Sequence, residues 1–232
     1  MENLLQVDNL HKSYFTKKVL KGANFVVPKG RIVGLLGPNG SGKTTLMRAI
    51  AGLVKFNKGS ITVEGKAVGY ETKSLVSFMP DSNILDKGMS VNSSIKLYND
   101  FFSDFNMEKA MKLQEFYKLD EDIKVKDLSK GNVEKLQLLL TLSRDAKLYV
   151  LDEPLGGIDP VVKTKIIDSI LEYFSGDDSS LIISTHLLKD TERLFDDALF
   201  LKDGIISLAG SCDDLRAEHG KTIEELYIEI FS

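Results

Sequence analysis

One stretch constrains this chain more than any other: Gly37-Pro38-Asn39-Gly40-Ser41-Gly42-Lys43-Thr44-Thr45, set between the apolar run Ile32-Val33-Gly34-Leu35-Leu36 and the helical pattern Leu46-Met47-Arg48-Ala49-Ile50-Ala51. The order is strand, glycine-rich loop, helix, and the spacing of Gly37, Gly42, Lys43 and Thr44 is that of a phosphate-binding loop. Glycines let successive backbone N–H groups turn inward into a concave nest, and the following helix aims its unsatisfied N–H groups and positive dipole end at the same point. A polyphosphate fits there. Lys43 then lies along the β- and γ-phosphates as a point charge, and the Thr44 hydroxyl is a hard oxygen ligand for Mg²⁺. The competing reading is an accidental glycine-rich turn. From average usage, with Gly at about 7%, such a match in a chain of this length has a probability on the order of 1%. The strand-to-helix context decides for nucleotide binding.

Composition narrows the class. At 232 residues, 43% hydrophobic and 28% charged, the chain can bury a sizeable core, as one large domain or a core with a subdomain. The single cysteine, Cys212, cannot form an intrachain disulfide, which suits a reducing compartment. No apolar run approaches the roughly 18 residues that span a bilayer, and Met1-Glu2-Asn3-Leu4-Leu5-Gln6 has neither the basic nor the apolar region of a secretory signal. Any membrane role is therefore expected to be indirect. A net charge of −4 gives no general attraction to nucleic acid, and none is expected as a partner.

Along the chain, Leu4-Leu5-Gln6-Val7-Asp8 and Phe25-Val26-Val27 read as strands, with His11-Lys12-Ser13-Tyr14-Phe15 between them. Tyr14 is a candidate face for a nucleobase, with a core or edge aromatic as the alternative. The run from Gly59 to Val68 predicts two short strands around Glu64-Gly65. From about Asp86 to Ala146 the pattern becomes helical, with Phe101, Phe102, Phe105, Met107 and Met111 expected in an ordinary core and a partner groove as the alternative for some of them. That region ends in Leu128-Ser129-Lys130-Gly131-Asn132, where Ser129 is a candidate helix N-cap and Gly131 permits close approach, making a second helix start that could hold an anion.

Next, Leu148-Tyr149-Val150-Leu151 reads as a buried strand ending in two carboxylates, Asp152 and Glu153, at the position where open α/β sheets place their ligands. Asp152 suits holding Mg²⁺ and Glu153 suits polarising an attacking water; a helix-capping pair is the alternative. Leu181-Ile182-Ile183-Ser184-Thr185-His186 repeats the design with a histidine, which makes His186 a candidate γ-phosphate contact.

In this order the motifs resemble the ATP-binding subunit of ABC transporters over nearly the whole chain. Leu128-Ser129-Lys130-Gly131-Asn132 is similar to that family's signature, Gly157-Ile158-Asp159 to its D-loop and His186 to its switch histidine. Tyr14 is similar to its adenine-stacking aromatic, and Val19 to a second adenine contact. The resemblance implies an α/β phosphate-loop NTPase: a RecA-like core with an antiparallel β layer over residues 1–85 and 147–232, and a helical subdomain over about 86–146. It implies Mg²⁺ and ATP, with catalytic roles for Lys43, Glu153, Asp159 and His186. It also implies that two copies, or this chain and a paralogue, sandwich ATP between the phosphate loop of one and the Ser129–Gly131 signature of the other, driving separate transmembrane permease subunits. The expected location is then the cytoplasmic face of the membrane, held there through the permease. The compact helical region and the ending Ile223-Glu224-Glu225-Leu226-Tyr227-Ile228 are similar to ATPases of bacterial drug, peptide and lipid exporters.

Three segments depart from the family's pattern. Lys130 and Asn132 stand where Gly and Gln are commoner, Gly156 stands where Ser is frequent, and Asp81, in Phe78-Met79-Pro80-Asp81, replaces the glutamine that joins Mg²⁺ to the transmembrane contact. Asp81 is accordingly a candidate metal ligand beside Thr44 and Asp152, with a solvent-facing loop cap as the alternative. Two other readings are an ABC-type ATPase serving cluster assembly or repair and a nucleotide-gated regulatory module. The retained Glu153 and His186 weigh against the latter.

Overall fold

A computed structural model describes residues 2–156, 159–174, 178–186 and 188–232. Two long strands, β1 (Asn3–Tyr14) and β2 (Lys17–Pro28), lead through β3 (Ile32–Leu36) into the helix α1 (Lys43–Ile50). A hairpin of β4 (Lys58–Val63) and β5 (Lys66–Ala67) precedes β6 (Val76–Met79). The helices α2 (Val91–Phe101), α3 (Met107–Tyr117) and α4 (Lys130–Leu142) follow. The remainder runs β7 (Leu148–Asp152), α5 (Pro160–Tyr173), β8 (Ser180–Thr185), α6 (Leu188–Thr191), β9 (Asp197–Lys202), β10 (Ile205–Ser211), α7 (Cys212–His219) and α8 (Ile223–Phe231).

Hydrophobic alternation assigns each strand's two faces to different cores. In the six-stranded sheet β10-β9-β3-β8-β7-β6 all neighbours are parallel except β10 with β9. Val33 and Leu35 of β3, Leu148 and Val150 of β7, and Ile182 of β8 pack with α1 on one side. Leu36, Tyr149, Leu151, Leu181 and Ile183 pack with the helical region, α5, α7 and α8 on the other. Burial of both faces is why these strands read as unbroken apolar runs. The antiparallel sheet β2-β1-β4-β5 covers α1, so α1 lies between two sheets with Leu46, Met47, Ala49 and Ile50 fully buried. Gly34, in the middle of β3, lies against Phe195, whose ring would stand 2.7 Å from any Cβ placed there.

The hairpin around Glu64-Gly65 forms as expected, with Val63 opposite Lys66 and both turn residues at positive φ, 49° and 73°. β1 and β2 run further than their apolar patterns indicate. His11 to Tyr14 continues β1 and pairs with Lys17 to Lys21, giving a long hairpin with Tyr14 at its far end. This extension is polar and half exposed, so it carries no alternation to read. Breaks in register between Val7 and Leu10, where Asn9 takes φ 44°, shift the pattern as well.

In the helical stretch Phe105 and Met107 pack against the core, while Phe101 and Met111 face solvent, 77% and 63% exposed. A buried arginine ties this stretch to the sheet. Arg144 donates from Nε and Nη2 to the two oxygens of Asp104 at 3.1 and 2.8 Å, and from Nη1 to the Val76 carbonyl at 3.0 Å, with its guanidinium 4.1 Å from the Phe102 ring centre. Asp104 and Phe102 belong to the α2–α3 connection and Val76 opens β6, so one side chain joins two parts of the chain. Arg144→Met keeps the stem but leaves Asp104 and the Val76 carbonyl without their donors, and is expected to cost about 2–4 kcal/mol. Urea unfolding measures this, and a loss below about 1 kcal/mol would show that the bolt is not structural.

Candidate nucleotide-binding site

The parallel register brings the candidate residues together. Leu36 pairs with Thr185, Asp152 with Ser184 and Met79 with Leu151, so the ends of β3, β8, β7 and β6 form one edge. From that edge emerge the glycine loop, His186, Asp152-Glu153 and Asp81, in the position an open α/β sheet uses for ligands.

Gly40 and Gly42 take φ 83° and 110°, conformations that other residues rarely adopt, and these turns shape the loop. α1 starts at Gly42 with no side-chain cap, whereas Ser90, Asn106, Ser129, Asp159, Ser211 and Thr222 cap the other described helices of eight residues or more. Its first N–H groups are therefore free of side-chain competition for an anion. The loop residues Asn39 to Thr45 line a cleft of about 550 Å³ together with Tyr14, Val19, Asp81 and Glu153. Tyr14 is 40% exposed, with the Lys12 ammonium 4.6 Å from its ring centre.

Lys43 is almost fully buried. Its ammonium donates to the carbonyls of Gly37 at 2.7 Å and Pro38 at 3.3 Å and lies 3.3 Å from Glu153 Oε1. That last contact is an ion pair without hydrogen-bond geometry, because Oε1 has no hydrogen-bond partner. The other oxygen, Oε2, is 2.9 Å from His186 Nδ1. Glu153 has φ 50°, a left-handed turn that a β-strand residue does not take, and this swings its carboxylate between Lys43 and His186.

Asp152 is completely buried, and its Oδ1 accepts from the Ser184 hydroxyl at 2.7 Å while Oδ2 has no hydrogen-bond partner. Burial raises its pKa above the ordinary value, against the opposing pull of the Ser184 and Thr44 hydroxyls, with the nearby charges of Asp81 and Glu153 adding to the rise. A buried carboxylate oxygen without a donor, next to the Thr44 hydroxyl, is a donor set that fits a hard divalent cation. Asp81, on the loop after β6, lines the same cleft and lies 4.0 Å from Arg48 Nη2.

Ser129, Gly131 and Asp159 do not line this cleft. Ser129 caps α4 by accepting from the Asn132 N–H at 3.3 Å, and a Cβ on Gly131 would lie 3.3 Å from the Val162 methyls of α5. Asp159 caps α5 through the Val161 N–H at 2.8 Å. Gly157 and Ile158 lie outside the described residues.

Two contributions escaped the sequence. Ser184 accepts from the Glu153 N–H at 2.9 Å while donating to Asp152, so one hydroxyl orients both carboxylate residues. Its signal was a polar residue inside the apolar run of β8. Lys17, Lys18, Lys21, Asp203 and Gly204 also line the cleft. They arrive through the long β1–β2 hairpin and the β9–β10 turn, where Gly204 accepts from the Lys21 N–H at 2.8 Å, and no local motif announces that contact.

A parallel sheet with a glycine loop and an uncapped helix at the end of one central strand, and paired carboxylates at the end of another, defines a phosphate-loop nucleotide-binding protein. The chain belongs to the ABC transporter family, which residues 20–156 match. It is 33% identical over 221 residues to an uncharacterized ABC transporter ATP-binding protein, MJ1023 of Methanocaldococcus jannaschii, covering 93% of this chain and 80% of the relative. It is 30% identical over 226 residues to the lantibiotic transport ATP-binding protein SrtF of Streptococcus pyogenes, covering 97% and 96%. Nod factor export ATP-binding protein I of Rhizobium sp. (strain N33) is 31% identical over 223 residues, covering 93% and 73%. A solved ATP binding subunit of an ABC transporter superposes with TM-score 0.87 at 27% identity, covering 97% of this chain and 98% of that one.

Asp152→Asn tests the electrostatic cost of the site. The amide retains an acceptor for Ser184 and removes a charge that burial disfavours, so the variant is expected to melt above the wild type at neutral pH in metal-free buffer. The sign follows from the raised pKa of Asp152, which makes the wild type lose stability as pH climbs from the ordinary carboxylate value to the folded one. The advantage of Asn should therefore vanish below about pH 4, where the carboxyl is protonated in both states. Thermal unfolding across pH reads it, and an equal or lower melting temperature at pH 7 contradicts it.

Proposed function

We propose that this chain binds ATP with Mg²⁺, hydrolyses it in a pair of subunits, and powers an exporter through separate membrane permeases. The observation that carries the reading is the placement of Glu153, held between Lys43 and His186 with Asp152 and Thr44 beside it. The family membership supports ATP as the nucleotide, and the relative named for Nod factor export supports the direction.

In this reading the loop N–H groups of residues 39–45 receive the phosphates, and Tyr14 and Val19 receive the base. The Lys43 ammonium exchanges the Gly37 and Pro38 carbonyls for phosphate oxygens, a stronger charge-assisted contact. Thr44 and Asp152, with Asp81 directly or through water, would hold Mg²⁺, which when bound neutralises phosphate charge. Glu153 then orients the attacking water and accepts its proton. His186 fixes the other Glu153 oxygen and faces the γ-phosphate. The second helix start at Ser129 and Gly131 lies outside the chain's own cleft, which supports its use on the nucleotide of a second copy, with Asp159 at the same interface.

The membrane partner has a candidate seat. An apolar cleft of about 310 Å³ is lined by Leu53, Phe78, Ile84, Tyr98 and Phe102, with Leu53 and Ile84 more than half exposed. A short cytoplasmic helix of a permease is the occupant proposed. Ile84 stands three residues beyond Asp81 on the same loop, so a shift at the nucleotide cleft reaches this seat through a short backbone path. Among the described residues no helix is long and apolar enough to cross a membrane, consistent with membrane-spanning parts in another chain.

Glu153→Gln is expected to bind ATP with near wild-type affinity and to hydrolyse it roughly 10²–10⁴-fold more slowly, the usual worth of a positioned base. With turnover blocked, it should also move from monomer to dimer on adding Mg²⁺-ATP, as read by light scattering. Unimpaired phosphate release in this variant would sink the role of Glu153. A monomer at saturating ATP, even with the permease loops supplied, would sink the shared site.

Asp81 adds a charge that attracts Mg²⁺ and repels a bare triphosphate. Asp81→Gln is expected to raise ATP affinity in chelator while leaving the Mg²⁺-ATP affinity near that of wild type. Titrating both proteins with and without Mg²⁺ decides, since identical affinity ratios would place Asp81 away from the metal.

A further inference from the structure

Two of the positions at which this chain departs from its family's pattern touch each other. The Lys130 ammonium, at the first residue of α4, donates to the Gly156 carbonyl at 2.9 Å across twenty-six residues of sequence. Gly156 in turn donates its N–H to the Glu153 carbonyl at 3.0 Å, closing the turn that carries the candidate water-orienting carboxylate. Lys130, Gly156 and Glu153 thus form a continuous polar path from the start of α4 to Lys43 and His186.

Lys130 is an unfavourable choice for helix stability alone. The first turn of α4 holds no acidic residue, and a cation there opposes the helix dipole. The contact to Gly156 gives the charge a partner, and Glu134, one turn further along α4, faces it electrostatically. Gly156 brings no side chain with which the turn could anchor itself. The packing agrees, since Gly131 lies against Val162 of α5, the helix entered directly from this loop.

We infer that Lys130 is a positioning residue for hydrolysis, holding the Glu153–Gly156 turn of its own subunit against the start of α4. Any displacement of α4 relative to the sheet is then carried to Glu153 through the Gly156 carbonyl. This rests on the reading that Glu153 orients water, and it gives the segment around Ser129 a role within its own subunit besides the one proposed across the pair.

The test compares Lys130→Met, which keeps length and loses the donor, with Lys130→Arg, which keeps a donor. In nucleotide-free protein, hydrogen exchange at the Gly156 amide is expected to quicken roughly two- to fivefold in Lys130→Met, the scale of an exposed charged contact, and to return toward wild type in Lys130→Arg. In turnover, kcat should fall by a similar factor in Lys130→Met with KM for ATP unchanged, and recover in Lys130→Arg, while both variants melt with the wild type. Unchanged exchange at Gly156 in Lys130→Met overturns the inference. So does loss of ATP-driven dimerisation when Lys130→Met is placed in the Glu153→Gln protein, because Lys130 would then act on the second copy's phosphates. Exchange is measured without ATP, so an inactive wild type would count against the role of Glu153 and leave the tether to be decided by exchange alone.

Discussion

The meeting of the glycine loop, the two carboxylates and His186 depends on the parallel pairing of β3, β8 and β7. That pairing is enforced by burial on both faces: Val33, Leu35, Val150 and Ile182 cannot face the α1 side unless Leu36, Leu151, Leu181 and Ile183 face the other. A slip of one residue would reverse every one of these side chains, so the register is strongly specified. The strand ends consequently fall in line, and the loop, the carboxylates and the histidine are neighbours through backbone geometry before any of them interacts. Ser184, paired with Asp152 across the ladder, then binds Asp152 and the Glu153 N–H with one hydroxyl.

The resulting site is short of positive charge around its carboxylates. Asp152 is buried with one oxygen undonated, and Asp81 pushes its pKa further upward. Asp81 does the same to Glu134 on α4, whose pKa stands at about 7 chiefly because of burial and against the pull of Lys130. A hard divalent cation would relieve such an arrangement.

Connections from the site leave in two directions. One follows the loop from Asp81 to Ile84 and meets the apolar cleft beside Phe102, which Arg144 fastens to β6. The other runs from Glu153 through Gly156 to Lys130 on α4. Both end in the helical region, so its position relative to the sheets bears on the Asp81 and the Glu153 sides of the cleft alike. Gln137 on α4 also reaches the loop, donating to the Ser82 carbonyl at 3.2 Å.

The amino-acid sequence by itself determined the parts whose chemistry is local. The Gly37–Thr45 loop, the carboxylates closing the β7 run, the hairpin at Glu64-Gly65 and the capping of α4 by Ser129 were readable because spacing, strand period and cap preference act over a few residues. The length of the β1–β2 hairpin was not readable, since His11 to Tyr14 is polar on both faces and is held by its partner strand. Nor was the separation of Phe105 from the exposed Phe101 and Met111, which depends on where α2 and α3 pack. Only the tertiary structure decided that Ser184 would serve Asp152 and Glu153 together, that Asp203 and Gly204 would border the cleft, and that Lys130 would find Gly156. Those contacts join residues far apart in the chain, and no periodicity or motif encodes a distance that is set only when the sheets and helices close on each other.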